Sequence, residues 1–126
     1  MEVREATPAD AGAIEGLAGG DLDAERLIHD RTVTVAEVDK ELVGFIAYEA
    51  WSGAVHVTRL RGDARALRVL LTEPIRFGER EDLSVETIVP EDDEELEAAL
   101  EDVGFERAAE GPRFGGRPSA RFRYEE

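Results

Sequence analysis

The spacing of the apolar residues changes at Arg31, and this change constrains the fold more than any other feature of the sequence. From that position apolar and polar residues alternate, which is the pattern of half-buried strands. Three such runs follow one another: RTVTVAEV, LVGFIAYEA and AVHVTRL. A polar tip at residues 39–41 and a turn at residues 51–53 separate them. Residues 31–60 are therefore predicted to form an antiparallel meander.

Helical patterns lie on both sides of the meander. MEVREA is predicted to be a strand, and a first helix is predicted over residues 8–18, with Thr7 as N-cap and Pro8 in its first turn. DLDAERLIHD predicts a second, shorter helix. After Gly62, leucines at helical spacing predict a third helix over DARALRVLLTEPIRFGERE, which Pro74 should kink or end. PEDDEELEAALEDVGF predicts a fourth helix that stops at Gly104.

Three more strands complete the pattern: DLSVETIVP, FERAAEG and SARFRYEE. A helix separates the first of them from the strand that ends at Leu60, so a right-handed crossover should make these two strands parallel. The order β-α-α-β-β-β-α-β-α-β-β predicts an α+β fold, in which a central mixed sheet carries helices on both faces. At 126 residues with 42% hydrophobic content, we expect one domain over residues 1–126.

The charge balance restricts the partners. Asp and Glu number 30 against 15 Lys and Arg, the net charge is -15, and Lys40 is the only lysine. Such a field repels nucleic-acid phosphates and anionic membranes, so we expect neither as a partner. Acid richness serves solubility, and it also suits a protein working in multimolar salt, where a Debye length of about 3 Å screens the repulsion. The near-absence of lysine favours the salt-adapted, haloarchaeal-like interpretation.

Several kinds of site and location are disfavoured by what the sequence lacks. Without Cys there is no disulfide, thiolate metal site or cysteine nucleophile. His29 and His56 are far apart and lack a ligand-spacing motif, so no metal site is expected. No apolar run is long enough for a membrane span, and the N-terminus has no apolar signal segment. The expected location is cytoplasmic.

The whole chain resembles the GNAT superfamily of acyl-CoA N-acyltransferases. Three stretches carry the resemblance: VREATPAD at residues 3–10, LVGF at residues 42–45, and EELEAALEDVGF at residues 94–105. In that family the fourth and fifth strands run parallel and splay apart, and the pantetheine arm of acyl-CoA enters the gap. The resemblance therefore implies acetyl-CoA, or another acyl-CoA, as cosubstrate, with no metal.

The turn RLRGDA at residues 59–64 matches the family's phosphate-binding pattern Arg/Gln-x-x-Gly-x-Gly/Ala. In the family, backbone N–H groups of this turn hold the pyrophosphate at a helix N-terminus. The cofactor would then contact Val57, Arg59, Arg61, Gly62, Asp63, Ala64 and Arg65. Two features favour a plain connecting turn instead: the loop is shorter than usual, and Asp63 adds a carboxylate where an anion would lie.

Acyl transfer to an amine requires a base for the amine, stabilisation of the oxyanion and a proton for the thiolate. The resemblance places a catalytic Tyr where this chain has Leu100, so that acid is missing. The remaining candidates are Glu86 in the fifth strand, His56 in the fourth strand and Tyr124 in the last strand. Each has a structural alternative: a solvent-exposed carboxylate, a packed histidine and a core aromatic, respectively.

Two functions remain open from the sequence. The first is an N-acetyltransferase that acylates a primary amine of a small molecule or protein. An acidic pocket would favour a cationic acceptor, such as a polyamine, an aminoglycoside or a protein N-terminus. The second is a catalytically degenerate GNAT-like domain that acts as a binding or interaction module, perhaps as a homodimer. A third interpretation, an unrelated α+β domain with accidental motif letters, predicts no splay between the fourth and fifth strands.

Overall fold

The computed structural model describes residues 1–125. The strands are β1 (Glu2–Glu5), β2 (Thr32–Val38), β3 (Glu41–Trp51), β4 (Ala54–Gly62), β5 (Ser84–Pro90), β6 (Glu106–Glu110) and β7 (Ser119–Tyr124). The helices are α1 (Ala11–Ala18), α2 (Ala24–Asp30), α3 (Ala64–Glu81) and α4 (Glu94–Asp102), with a 3-10 turn at Pro8–Asp10 before α1. The predicted order of elements is confirmed. No helix of residues 1–125 is long and apolar enough to cross a membrane.

All seven strands belong to one sheet, in the order β1-β2-β3-β4-β5-β7-β6. Neighbouring strands are antiparallel except β4 and β5, which run parallel. The α3 crossover connects these two strands, as the right-handed crossover rule led us to expect. The sheet is therefore mixed, and the predicted fold class is confirmed.

Helices cover both faces of the sheet and bury two apolar clusters. Helices α3 and α4 cover one face, where Leu70, Leu71 and Leu100 pack on Val55, Val85 and Phe122. On the opposite face Ile14 of α1 packs with Val33, Val35 and Phe45 of β2 and β3. Removing this apolar surface from water is the main stabilising contribution to the fold.

Pro74 neither ends α3 nor separates it into two helices: the helix continues to Glu81. Of the two outcomes predicted for Pro74, a kink or the end of the helix, the end is ruled out. Pro74 is buried, together with Leu70 and Leu71 before it and Ile75 and Gly78 after it. Because both halves of α3 bury apolar side chains, tertiary packing offsets the hydrogen bond that proline cannot donate.

A β-bulge at Thr58 changes the direction of the side chains along β4. Val57 pairs with Tyr48 while Arg59 pairs with Ala47, so Thr58 has no partner residue in β3. Its hydroxyl group donates a hydrogen bond of 3.3 Å to the carbonyl oxygen of Ala47. Beyond the bulge the alternation shifts by one residue. Leu60 then faces the α3 side of the sheet, and Arg59 and Arg61 face the α1 side.

An ion pair fixes the start of the chain to the sheet. The guanidinium of Arg4 donates to both carboxylate oxygens of Asp10, at 2.9 and 3.0 Å, and also contacts Glu37 at 3.3 Å. The backbone N–H of Thr7 donates to the same Asp10 carboxylate at 2.8 Å. These hydrogen bonds, first of all the one from Arg4, lower the pKa of Asp10 to about 2.

Gly44 lies where β3, β4 and α3 approach one another closely. A Cβ atom at this position would lie 2.8 Å from the carbonyl oxygen of Arg61 and 3.0 Å from Cδ1 of Leu70. We therefore expect Gly44→Ala to lower the free energy of unfolding by about 1–3 kcal/mol, the usual effect of overpacking. Urea unfolding at constant salt measures it.

The control for this prediction is Gly16→Ala in α1, because nothing lies within 4 Å of a Cβ atom there. Alanine in an open helical position should raise the free energy of unfolding, by up to about 1 kcal/mol. Equal effects of the two substitutions would contradict the close approach at Gly44.

Candidate active site

Strands β4 and β5 separate partway along their length. They pair at four positions, from Ala54 opposite Ser84 to Val57 opposite Thr87. Beyond this last pair β4 continues to Gly62 and β5 continues to Pro90, but the two strands no longer pair with each other. A cavity of about 890 Å³ lies at the opening. The gap implied by the resemblance is therefore present, which contradicts the interpretation of an unrelated domain.

The base of the gap is closed by a side chain. The Thr87 hydroxyl donates a hydrogen bond of 3.3 Å to the carbonyl oxygen of Val57, and Thr87 is buried. Above this point, none of residues 1–125 forms a strand against the edge of β4 that faces β5. Its backbone N–H and C=O groups are therefore available to an extended ligand that carries amides.

The turn between β4 and α3 is short, as the position of Arg59 close behind Val57 in the sequence indicates. Arg59 lies inside β4, and only Asp63 separates the strand from the helix. Gly62 has a φ of +152°, and a Cβ atom there would lie 2.9 Å from Cβ of Ala66. The turn therefore depends on glycine at this position.

The N-terminus of α3 already holds a carboxylate. The side chain of Asp63 accepts a hydrogen bond of 2.8 Å from the backbone N–H of Ala66. This is an N-cap interaction that uses one of the free amides of the first turn. A pyrophosphate at this helix end would find the amide of Ala66 already hydrogen-bonded, and it would be repelled by the carboxylate of Asp63. Ala64 and Arg65, both exposed in the first turn, flank it.

Helix α4, on the same face of the sheet, is capped in the same way. The Asp93 side chain accepts a hydrogen bond of 3.2 Å from the backbone N–H of Leu96. Asp93 and Glu95 line the cavity from this side. Leu100, at the position where the resemblance implies a catalytic Tyr, is fully buried in the core. The α3–α4 side of the cavity is therefore acidic, and Leu100 supplies no acid to it.

Glu86 lies one residue below the opening and lines the cavity from the other side. Its neighbours Val85 and Val89 pack under α3 and α4, so alternation directs Glu86 to the α1 face of the sheet. Its carboxylate lies 3.2 Å from a guanidinium nitrogen of Arg123 and 3.7 Å from one of Arg121. The side chain is only 13% exposed. Glu86 is therefore held in position by its two arginine neighbours. It is not the solvent-exposed carboxylate that was the alternative to a catalytic role.

His56 is the residue of β4 paired with Glu86, and it also lines the cavity. Its Nε2 lies 3.0 Å from the carbonyl oxygen of Trp51, and the two rings pack with centroids 5.6 Å apart. Since a carbonyl oxygen only accepts, Nε2 carries a proton. These contacts tie the imidazole to the β3–β4 turn, at the closed end of the gap. In residues 1–125, no group of three His, Asp or Glu side chains could hold a metal ion.

Tyr124 is not among the cavity-lining residues of the described chain. It pairs with Val85 in the closed part of the sheet. Its ring packs on Phe105 with centroids 5.7 Å apart, and it closely contacts Gly104. These surroundings fit the alternative role considered for Tyr124 in the sequence, that of a core aromatic residue. They lie away from the gap between β4 and β5.

Several cavity-lining residues were not predicted from the sequence, among them Arg121 and Phe114. Arg121 of β7 lines the cavity and contacts Glu86. The alternation of arginines with Ala120 and Phe122 indicates that Arg121 leaves the core, but it carries no signal for which strand lies beside it. Phe114, in the loop between β6 and β7, is 56% exposed and also lines the cavity. No periodic pattern surrounds it, so the sequence carried no signal for its position.

The sequence matches no protein-family model and no curated protein. Solved structures, by contrast, are similar over nearly the full chain. Ribosomal-protein-alanine N-acetyltransferase from Brucella melitensis superposes with a TM-score of 0.80 at 17% identity, covering 100% of both chains. The putative acetyltransferase yncA from Salmonella typhimurium, solved with its cofactor acetyl-CoA, gives 0.81 at 16% identity, covering 98% of this chain and 92% of its own.

A third similar structure carries the family name. A putative acetyltransferase of the GNAT family from Desulfovibrio desulfuricans has a TM-score of 0.77 at 16% identity, with 98% of each chain covered. At such identities the similarity shows the fold. It agrees with the mixed sheet, the parallel β4–β5 pair and the gap between these strands. The chain therefore has the fold of the GNAT acetyltransferases.

Proposed function

We propose that this protein is an N-acyltransferase that transfers the acyl group of acetyl-CoA, or of another acyl-CoA, to a primary amine. The observation that carries the proposal is the opening of the parallel β4–β5 pair into a cavity of about 890 Å³. The acetyl-CoA bound to the Salmonella protein of the same fold supports this choice of cosubstrate. A primary amine is the acceptor that the resemblance implies.

The thioester arm would lie along the free edge of β4 above Val57. An extended chain with amide groups can pair with an open strand edge through main-chain hydrogen bonds. A free N–H group of β4 then lies near the thioester carbonyl, where it can stabilise negative charge on the oxygen. The hydroxyl of Thr87 already satisfies the carbonyl of Val57, so pairing would begin with the next residues.

Glu86 is the residue we assign as general base. Its carboxylate lines the cavity on the α1 face, and Arg123 and Arg121 fix its position. It would take a proton from the acceptor ammonium, directly or through one water molecule. The amine nitrogen then bonds to the acyl carbon and the carbon–sulfur bond breaks. The second proton that the nitrogen loses passes through water to the departing thiolate, since Tyr124 lies outside the cavity lining.

The diphosphate of the cosubstrate is the group that fits least well. Asp63 caps α3 and Asp93 caps α4, so carboxylates already occupy both helix N-termini beside the gap. The repulsion is weakest in concentrated salt, where the Debye length is about 3 Å at 1 M. This agrees with the salt-adapted cytoplasmic environment that the sequence suggests, and we include that environment in the proposal.

The same two helix ends favour a second candidate function. A GNAT-like domain that has lost catalysis would need neither an open phosphate site nor an acid in α4. The Asp63 cap and the buried Leu100 agree with such a binding module. The two functions differ in one measurable property, because only the enzyme must bind acyl-CoA.

Calorimetric titration with acetyl-CoA in multimolar KCl tests the proposal. We expect saturable binding by the wild-type protein. Thr58→Trp would place an indole in the gap, because Thr58 is exposed and lines the cavity, and binding should weaken about tenfold, which corresponds to about 1.4 kcal/mol.

The matched control is Thr32→Trp. Thr32 is exposed at the start of β2, two strands away from β4, where it pairs with Tyr48 of β3 and does not line the cavity. This variant should bind acetyl-CoA like the wild type. No binding by a folded wild-type sample would overturn the acyltransferase proposal and leave the binding module. Equal weakening in both variants would contradict the placement of the cosubstrate in the gap.

A further inference from the structure

The two sides of the cavity carry opposite charges. On the α3–α4 side the charged lining residues are Asp93 and Glu95. On the α1 face of the sheet they are Arg59, Arg61 and Arg121, with Glu86 as the one carboxylate of that wall in the described chain. A net charge of -15 predicts an acidic wall. The local charge is positive where the proposed general base lies.

The bulge at Thr58 produces this distribution. Because it shifts the alternation of β4, Arg59 pairs with Ala47 and Arg61 pairs with Phe45. Ala47 and Phe45 belong to the apolar cluster on the α1 face, so both guanidinium groups project from that face. The N-terminus of α3 lies on the other face. These two arginines are therefore directed away from the helix end where the sequence pattern placed a pyrophosphate.

Arg59 and Arg61 differ from most arginines of the chain in their contacts. Arg121 and Arg123 contact Glu86, whereas within residues 1–125 no carboxylate lies within 4.0 Å of a guanidinium nitrogen of Arg59 or Arg61. One guanidinium nitrogen of Arg61 donates to the carbonyl of Leu60 at 2.9 Å. In a chain with twice as many acidic as basic residues, two adjacent cations without a carboxylate leave a place for an anion.

This face is also open to a second substrate. Helices α1 and α2 lie mainly over β2 and β3, and Ile88 of β5 is 38% exposed on the same face as Glu86. Phe114 borders the cavity from the β6–β7 loop. A molecule that reaches Glu86 from this side passes beside β4, where Arg59 and Arg61 project.

We infer that the acceptor is an anionic amine: a primary amine that carries a carboxylate, bound through that carboxylate by Arg59 and Arg61 with the amine directed to Glu86. The inference rests on the proposed function and names the acceptor class. It differs from the cationic acceptor that an acidic pocket would favour. Guanidinium groups bind carboxylates through paired hydrogen bonds, so two of them select for a carboxylate over a second ammonium.

The spacing of the site sets the length of the acceptor. Glu86 lies one register step below the last β4–β5 pair, and because Thr58 is the extra residue of the bulge, Arg59 lies only one register step above that pair. At about 3.3 Å per step this is roughly 7 Å along the strands, of which the two side chains can span a part. An amine and a carboxylate separated by several carbon atoms should therefore fit better than glycine.

The test compares two homologous series in the presence of acetyl-CoA. One is the ω-amino carboxylates from glycine to 6-aminohexanoate, and the other is the diamines of the same length. Released CoA is measured with a thiol reagent, which reads CoA alone because the chain has no Cys. We expect kcat/KM at least tenfold higher for the best amino carboxylate than for its diamine. A peptide with an acidic residue beside its N-terminal amine tests whether the acceptor can be the N-terminus of a protein.

The variants Arg59→Gln and Arg61→Gln should raise KM for amino carboxylates about tenfold, with kcat and the Kd of acetyl-CoA within twofold of wild type. Arg76→Gln is the control, because Arg76 is exposed on α3 and lies outside the cavity lining.

A preference for diamines, or an unchanged KM in both arginine variants, would overturn the inference and leave the proposed function intact. Weaker acetyl-CoA binding in these variants would overturn it too, by assigning both arginines to the cosubstrate. Absence of acetyl-CoA binding by the wild type removes the proposed function itself.

Discussion

Glu86→Gln is expected to lower kcat by about 10²–10⁴-fold, the usual contribution of a positioned general base. The amide has the shape of the carboxylate and can still accept a hydrogen bond from Arg123, but it cannot take a proton from the acceptor ammonium. The Kd of acetyl-CoA should remain within twofold of wild type, because Glu86 lies on the α1 face, away from the helix ends. Steady-state release of CoA and calorimetry measure the two quantities.

Glu95→Gln is the control for this prediction. Glu95 lines the same cavity from the α4 side and is exposed, so the substitution removes an equal charge without touching the proposed base. Its kcat should stay within threefold of wild type. A similar small effect of Glu86→Gln would show that another group accepts the proton, and His56 would become the next candidate.

Asp63→Ser is expected to tighten acetyl-CoA binding by about tenfold to a hundredfold at low salt. Serine still caps α3, so the helix should remain intact. The substitution removes a negative charge beside the diphosphate, and two charges 5 Å apart interact by about 3 kcal/mol at an effective dielectric constant of 20. Calorimetry at increasing KCl should show the gain shrink as the charges are screened.

Asp23→Ser provides the comparison. Asp23 caps α2 through the backbone N–H of Arg26 at 3.2 Å, and α2 packs on the opposite face of the sheet from α3. The same chemical change there should leave the Kd of acetyl-CoA unchanged. Equal affinities for wild type and Asp63→Ser would mean that the diphosphate binds away from the N-terminus of α3.

The order of strands and helices was predictable because local patterns and tertiary packing agree along most of this chain. Alternation in β2 and β3, and the leucines of α3, each specify one buried face. Pro74 shows where local preference failed, since the buried residues on both sides of it keep α3 continuous. Sequence spacing alone carries no information about that packing.

The directions of the site residues were harder to predict than the strands that carry them. Strict alternation from Val55 and Val57 would direct Arg59 and Arg61 into the core. The bulge at Thr58 reverses this. The three-residue interval between Val57 and Leu60 was the only sequence signal for it. The proximity of Arg121 to Glu86 depends on the pairing of β7 with β5, which is a long-range contact that no local pattern encodes.

The four residue pairs that join β4 to β5 also divide the sheet mechanically. Strands β1–β4 form one leaf and β5–β7 form the other, and within residues 1–125 these four pairs are the only strand pairing between the two leaves. Helix α3 bridges the leaves on one face. A molecule bound along the free edge of β4 would act as a removable strand between them. Occupancy of the gap would then stiffen the whole domain, and release of product would let the leaves flex again.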